Sequence, residues 1–269
     1  NYAEHLLRRA GSVEAGTRPA IVFRNEAGVR REVTWQALSD EAGSIARTLR
    51  SLGVTPGDRV VAYMPNIPET VSAFLGACAA GAVWSSCAPD LGPTSVIDRF
   101  RQITPKVMFA VDGYRYGGKA FDRHDVLAEL LERLPSLEAV VFLPYLDAGA
   151  TLAAARPLRV VAWRDAIADP QPPTYESVPF EHPLRIVYSS GTTGMPKAIV
   201  HGHGGALLMG IVDLAMHLGV DADDRMMWYS STSWIMWNLW VSALASGTTL
   251  VHYDGSPGHP DLSPLWRTA

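Results

Sequence analysis

The sequence predicts a layered α/β fold with mostly parallel sheets. Short apolar runs alternate with segments of helical spacing along most of the 269 residues. Consecutive strand–helix–strand units can be traced in the first half. A run rich in hydroxyls and glycines directly follows one of the apolar stretches, where open α/β folds hold ligands.

The elements follow in order. Ala20 to Arg24 and Arg31 to Thr34 read as a hairpin around Asn25-Glu-Ala-Gly28. Trp35 to Leu52 carries Leu38, Ala42, Ile45, Ala46 and Leu49 on one helical face and stops at Gly53. The turn Gly53 to Asp58 leads into a strand at Arg59 to Tyr63, a buried helix at Ile67 to Ala80 and a strand at Val83 to Cys87. A second unit has helices at Pro93 to Ile103 and Val126 to Arg133, and strands at Lys106 to Val111 and Ala139 to Leu143. Asp147 to Pro183, with Asp169-Pro-Gln-Pro-Pro173, reads as a stiff surface connection and the one internal seam, dividing a first portion (1–175) from a second (176–269). Leu184 to Tyr188 reads as a short buried strand and Gly204 to Leu218 as a helix. Strands at Arg225 to Tyr229 and Thr248 to Tyr253 flank a helix at Trp234 to Ala245.

Composition narrows the function classes. At 48% hydrophobic and 19% charged the chain can bury a large core. A formal net charge of -4, without blocks of like charge, argues against nucleic acid and membrane surfaces as partners, leaving small molecules. Cys78 and Cys87 lie among apolar residues without ligand spacing and read as buried structural thiols of a reducing compartment, which makes the cytoplasm the default location. No signal pattern opens the chain, and the apolar stretch Trp234 to Ala245 is too short to span a bilayer.

The chemistry concentrates in Tyr188-Ser-Ser-Gly-Thr-Thr-Gly-Met-Pro-Lys197. Ser189, Ser190, Thr192 and Thr193 offer hydroxyl donors, Gly191 and Gly194 let oxygens approach the main chain, and Lys197 adds a mobile point charge. These are the requirements of a phosphate cradle; the competing reading is a Ser/Thr/Gly surface turn. A Walker A loop is excluded, because the glycine spacing is shorter, Met-Pro intervenes and Ala198 follows the lysine. The run instead resembles the phosphate loop of the adenylate-forming superfamily of acyl-CoA synthetases, adenylation domains and luciferases. Ser231-Thr-Ser-Trp-Ile-Met-Trp-Asn-Leu-Trp240 resembles the aromatic segment that walls the acyl pocket in that superfamily. Tyr63 to Asn66, Trp84 to Gly92, Asp112 to Lys119, His252 to Pro257 and the opening Asn1 to Leu7 are together similar to the acetoacetate–CoA ligase (acetoacetyl-CoA synthetase) subfamily.

The resemblance implies an ATP-dependent ligase that makes an acyl-adenylate from a short carboxylic acid, acetoacetate foremost. It then passes the acyl group to coenzyme A, releasing AMP and pyrophosphate. ATP, Mg2+ and coenzyme A are the implied co-substrates. Ser189, Ser190, Gly191, Thr192, Thr193, Gly194 and Lys197 would hold the β- and γ-phosphates, with Thr193 and Lys197 most directly involved in catalysis. Trp234, Met236 and Trp237 would rim a short apolar pocket, and Asn238, standing where acetate-specific relatives place histidine, would donate to a 3-oxo group; without the loop upstream, this stripe reads as core. Arg115, Lys119 and Arg123 would meet the nucleotide phosphates of coenzyme A, although by themselves they read as a solvated charged loop. His201 and His203 lack a nearby carboxylate and read as structural, and the remaining histidines show no metal spacing.

The family's later motifs do not occur here: a magnesium-binding glutamate, a ribose-binding aspartate and a lysine on a small C-terminal domain. The chain therefore reads as an incomplete large N-terminal domain of an adenylate-forming enzyme, lacking the C-terminal domain and inactive alone. Two alternatives stay open: an adenylating enzyme that loads a carrier-protein thiol, and a non-catalytic module retaining the fold.

Overall fold

A computed structural model describes residues 1–154, 157–189 and 194–268, with only the backbone of Glu14. The chain opens with α1 (Tyr2–Leu7) and α2 (Val13–Gly16), followed by β1 (Pro19–Asn25), β2 (Arg30–Thr34) and α3 (Trp35–Ser51). The next segment holds β3 (Arg59–Tyr63), α4 (Pro68–Ala79), β4 (Val83–Cys87), α5 (Pro93–Phe100) and β5 (Val107–Val111). It continues through β6 (Gly113–Tyr116), β7 (Lys119–Asp122), α6 (His124–Arg133), β8 (Ala139–Leu143), β9 (Arg159–Ala162) and α7 (Trp163–Ala166). The last part comprises β10 (Pro183–Ser189), β11 (Lys197–Gly202), α8 (His203–Gly210), β12 (Arg225–Met227), α9 (Ile235–Val241), β13 (Thr249–Asp254) and α10 (Pro264–Thr268).

The main sheet runs β11-β10-β4-β3-β5-β8-β9 and is parallel except for the antiparallel pair β10–β11. A smaller sheet, β12-β13-β1-β2, pairs β1 with β13 and β12 with β13 in parallel, and a third, β6–β7, is an antiparallel ribbon. The expected mostly parallel α/β architecture is present. β5, β8 and, after Arg59, β3 are apolar because helices cover both faces. Alternation then assigns their side chains: Val60 and Ala62 join a core with α3 and α4, while Val61 and Tyr63 join one with α5 and α6. Apolar on nearly every side, α4 is an interior helix.

Beyond the unexpected α1, α2, α10 and β6–β7 ribbon, the structure departs from the expected elements notably around the loop and the connection before it. The stretch expected as a bare connection, 147–183, contributes β9 to the edge of the main sheet and the short α7. Between the apolar run and the following helix lies a further strand, β11, so the hydroxyl-rich loop joins a hairpin rather than a strand to a helix. The expected helix over 204–218 is α8 followed by a π-helical stretch, Ile211–His217. Among the described residues no helix is long and apolar enough to cross a membrane.

Candidate functional site

The β10–β11 register sets Ser189 opposite Lys197 at the mouth of the loop, after Tyr188 opposite Ala198. Two anchors fix this hairpin at the edge of the main sheet: the Tyr188 hydroxyl donates to the Arg99 carbonyl at 2.7 Å, and Ser85 Oγ donates to the Ile186 carbonyl at 2.8 Å. Gln102 Nε2 holds the Pro196 carbonyl at 2.9 Å, on the return side of the loop. Gly194 adopts φ +117°, a conformation that excludes side chains, so its place in the run is a backbone requirement. Lys197 is exposed. Ser190, Gly191, Thr192 and Thr193 lie outside the described residues.

Beside the hairpin, a cavity of about 440 Å3 opens at the carboxyl ends of β3 and β4. Trp234, Arg115, Tyr114, Tyr116 and Asn66 are among its walls. The segment 231–234 is stapled there by its small hydroxyl residues. Ser86 Oγ donates to the Thr232 carbonyl at 2.7 Å, Thr232 Oγ1 donates to the Met64 carbonyl at 2.9 Å, and Ala88 N–H donates to Ser233 Oγ at 2.8 Å. Trp234 is thereby left 66% exposed at the rim.

The aromatic stripe does not form one pocket, and this corrects the expectation for Trp237 and Asn238. Successive helical residues point about 100° apart, so Trp234 faces the strand-end cavity, Met236 lines a separate cavity, and Trp237 enters the core. Trp237 is fully buried, meets Phe74 edge-on at 5.9 Å and donates Nε1–H to Asn66 Oδ1 at 2.9 Å. The Asn238 amide turns back on its own helix, donating Nδ2–H to the Trp234 carbonyl at 3.2 Å. It is buried at 2% exposure, and its Oδ1 has no hydrogen-bond partner among the described residues. One of its two Nδ2–H donors is used at the helix start, and Asn238 is not among the residues that line either cavity.

The three basic residues also separate. Arg115 lines the strand-end cavity, whereas Lys119 is exposed on the neighbouring β7. Arg123 serves structure: its Nε donates to the Pro89 carbonyl at 2.7 Å, and its guanidinium lies 5.0 Å over the Tyr114 ring.

The histidines after the loop are held neutral. Burial, with His182 beside it, lowers the His203 pKa to about 4, and its Nδ1 accepts from Tyr2 N–H at 3.1 Å. Burial and then Arg185 lower that of His201. Both cysteines are buried free thiols, with Cys87 pushed up to about 12 by burial. Among the described residues no group of three or more acids, histidines and cysteines could hold a metal ion.

Sequence reasoning passed over Arg185. It sits in β10 at 5% exposure and lines the second cavity, of about 470 Å3, with His201 and Met236. The available signal was a charge inside the apolar run Leu184-Arg-Ile-Val187.

This arrangement defines an open α/β protein whose ligand-sized cavities flank a hairpin loop at the edge of a mostly parallel sheet. The sequence profile of the family described as "AMP-binding enzyme" matches residues 8–268, and the chain belongs to that family. It is 43% identical over its whole length to the acetoacetyl-coenzyme A synthetase of Rhizobium meliloti (strain 1021), and 39% identical over 99% of its length to the acetoacetyl-CoA synthetase of Gallus gallus. The solved structure of acetoacetyl-CoA synthetase from Streptomyces lividans superposes with a TM-score of 0.94 at 50% identity, covering all of this chain. The chain spans 40% of the length of each of these proteins.

Proposed function

We propose that the protein is an ATP-dependent acid–CoA ligase acting on a short acid, acetoacetate foremost. The observation that carries this reading is that Trp234, expected at the acyl end, and Arg115, expected at the coenzyme A end, line one cavity. The names of its relatives supply the activity class.

In this reading a carboxylate oxygen of the acid attacks the α-phosphorus of ATP. The new C–O–P linkage forms as the bond to the pyrophosphate oxygen breaks. The coenzyme A thiol then attacks the acyl carbon and AMP leaves with the bonding pair. The first step brings an anion to a polyanion, so charge neutralisation and positioning must supply most of the catalysis. Lys197, opposite Ser189 at the loop mouth, would neutralise the leaving pyrophosphate, with Thr193 as a hydroxyl donor. Magnesium bound to the triphosphate would spread the remaining charge. Arg115 would meet a phosphate of coenzyme A, with its pantetheine arm directed toward Trp234. Two buried unpaired thiols support a cytoplasmic location.

The test is acetoacetate-dependent ATP–pyrophosphate exchange by the full-length protein. Replacing Thr193 and Lys197 together by alanine is expected to lower exchange at least about a hundredfold. Unchanged exchange would remove the loop assignment. Arg115→Ala is expected to raise the KM for coenzyme A about tenfold while leaving the KM for ATP nearly unchanged.

A further inference from the structure

The cavity behind the hairpin holds an uncommon feature, a buried cation without a counter-ion. Arg185 is 5% exposed, yet among the described residues it forms no ion pair. A guanidinium does not deprotonate in proteins, and a charge held away from water needs acceptors for its five N–H groups. What it has is neutral and distant. Nε donates to His201 Nδ1 at 3.3 Å, and Nη1 donates to the Asn238 carbonyl at 3.5 Å, the outer limit of a hydrogen bond, with the Tyr2 hydroxyl close by. The walls around it are otherwise mostly apolar, with Val200, Ala206, Met209, Ile235, Met236 and Leu239 among them.

We propose that Arg185, with His201 beside it, recognises a second and uncharged acceptor oxygen on the acid substrate, a 3-oxo carbonyl, and so sets specificity. The inference rests on the ligase reading above and deepens it. Because His201 Nδ1 accepts the hydrogen bond from Arg185 Nε–H, the neutral ring carries its own proton on Nε2, which makes the imidazole a second donor at the cavity wall. Burial and the neighbouring guanidinium keep that ring neutral. The two cavities meet at the start of α9, where Trp234 on the rim of the strand-end cavity is followed directly by Ile235 and Met236 of this one, so an acid held by its carboxylate at the Trp234 side would direct its 3-oxo end toward Arg185. Asp213, on the same wall, decides between two kinds of acceptor. Its carboxylate disfavours a second negative charge in the same space but leaves a carbonyl untouched. Asn238 contributes through its backbone carbonyl, which holds the guanidinium, rather than through its amide.

The experiment measures kcat/KM for ATP–pyrophosphate exchange by the full-length protein with acetoacetate, butyrate and succinate. The wild type is expected to prefer acetoacetate over both. Arg185→Met is expected to lower the acetoacetate-to-butyrate ratio about tenfold to a hundredfold, the loss of a charge-assisted hydrogen bond. The ratio is internal to one preparation, so partial unfolding does not alter it. If the methionine variant does not fold, Arg185→Lys keeps the charge, loses the fork and is expected to lower the ratio by a smaller factor. Asp213→Asn should raise succinate relative to acetoacetate. An unchanged acetoacetate-to-butyrate ratio in an active Arg185 variant overturns the inference and leaves the ligase standing. A wild type that favours succinate overturns the choice of an uncharged oxygen. A wild type without exchange on any acid overturns the ligase reading itself.

Discussion

At the scale of single residues, neighbours in sequence have unlike duties. Trp234 and Trp237 are three apart, yet one stands at a cavity rim and the other is sealed against Phe74 and Asn66. Trp237→Ala is expected to cost about 3–5 kcal/mol, from the cavity left behind and the stranded Asn66 acceptor. Trp234→Ala is expected to change stability by no more than about 0.5 kcal/mol. Denaturant midpoints of the two variants check the contrast, and equal losses would contradict the separation of the stripe. Carboxylates make a second case. Burial, then the nearby Glu69, raises Glu41 to about 7 from an ordinary value of 4.5. Burial likewise raises Asp254 to about 7, its Oδ2 accepting from the Tyr145 hydroxyl at 2.6 Å. Folded protein therefore holds more protons than unfolded between about pH 4.5 and 7, and stability falls as pH rises through that window, by at most about 1.4 kcal/mol per unit for each group. Urea midpoints from pH 5 to 8 should decline in the wild type and decline less in Glu41→Gln. Parallel curves would show that Glu41 is not the proton holder.

At the scale of elements, the informative contacts involve the stretch expected to be a mere connection. Gly43 in α3 lies against residues 171–173, where an added Cβ would collide with the Gln171 carbonyl oxygen and come within 2.7 Å of the Pro172 carbonyl carbon. Ser44 donates to the Asp169 carbonyl, and Arg47 pairs with the Asp169 carboxylate at 3.0 Å. The Pro-rich run is thus strapped along α3. Helix propensity alone makes Gly43→Ala stabilising by about 1 kcal/mol. The packing makes it destabilising, by about 1–3 kcal/mol. The sign of the shift in midpoint decides which governs. The Trp35 to Leu52 helix was legible because its apolar face recurs at helical spacing and Thr34 caps it, accepting from Ala37 N–H at 3.1 Å. β11 was not, since its exposed pattern Lys197 to Val200 lacks the alternation that marks a half-buried strand.

At the scale of the whole molecule, distant segments are joined by pairing rather than by chain proximity. β1 lies beside β13, with Ile21 opposite Leu250, and β10 reaches the main sheet through Arg185 opposite Trp84. Tyr2, Phe74, Trp84, Phe109 and Trp163 form a continuous aromatic path through the core, with successive centroids 5.7–6.2 Å apart. The strand-end cavity is assembled from the ends of both larger sheets, β3 and β4 from one and β13 from the other, together with the β6–β7 ribbon.

The amino-acid order by itself determined the α/β class, the βαβ units, the buried free thiols and the hydroxyl-rich run, because each rests on local periodicity, turn chemistry or composition. Tertiary structure alone decided that Trp237 is core, that the Asn238 amide turns back on its own helix, and that Arg185 stands buried without a counter-ion among the described residues. Those outcomes depend on which face of an element meets which neighbour. That is fixed by sheet order and register between segments far apart in the chain, quantities that no local pattern encodes.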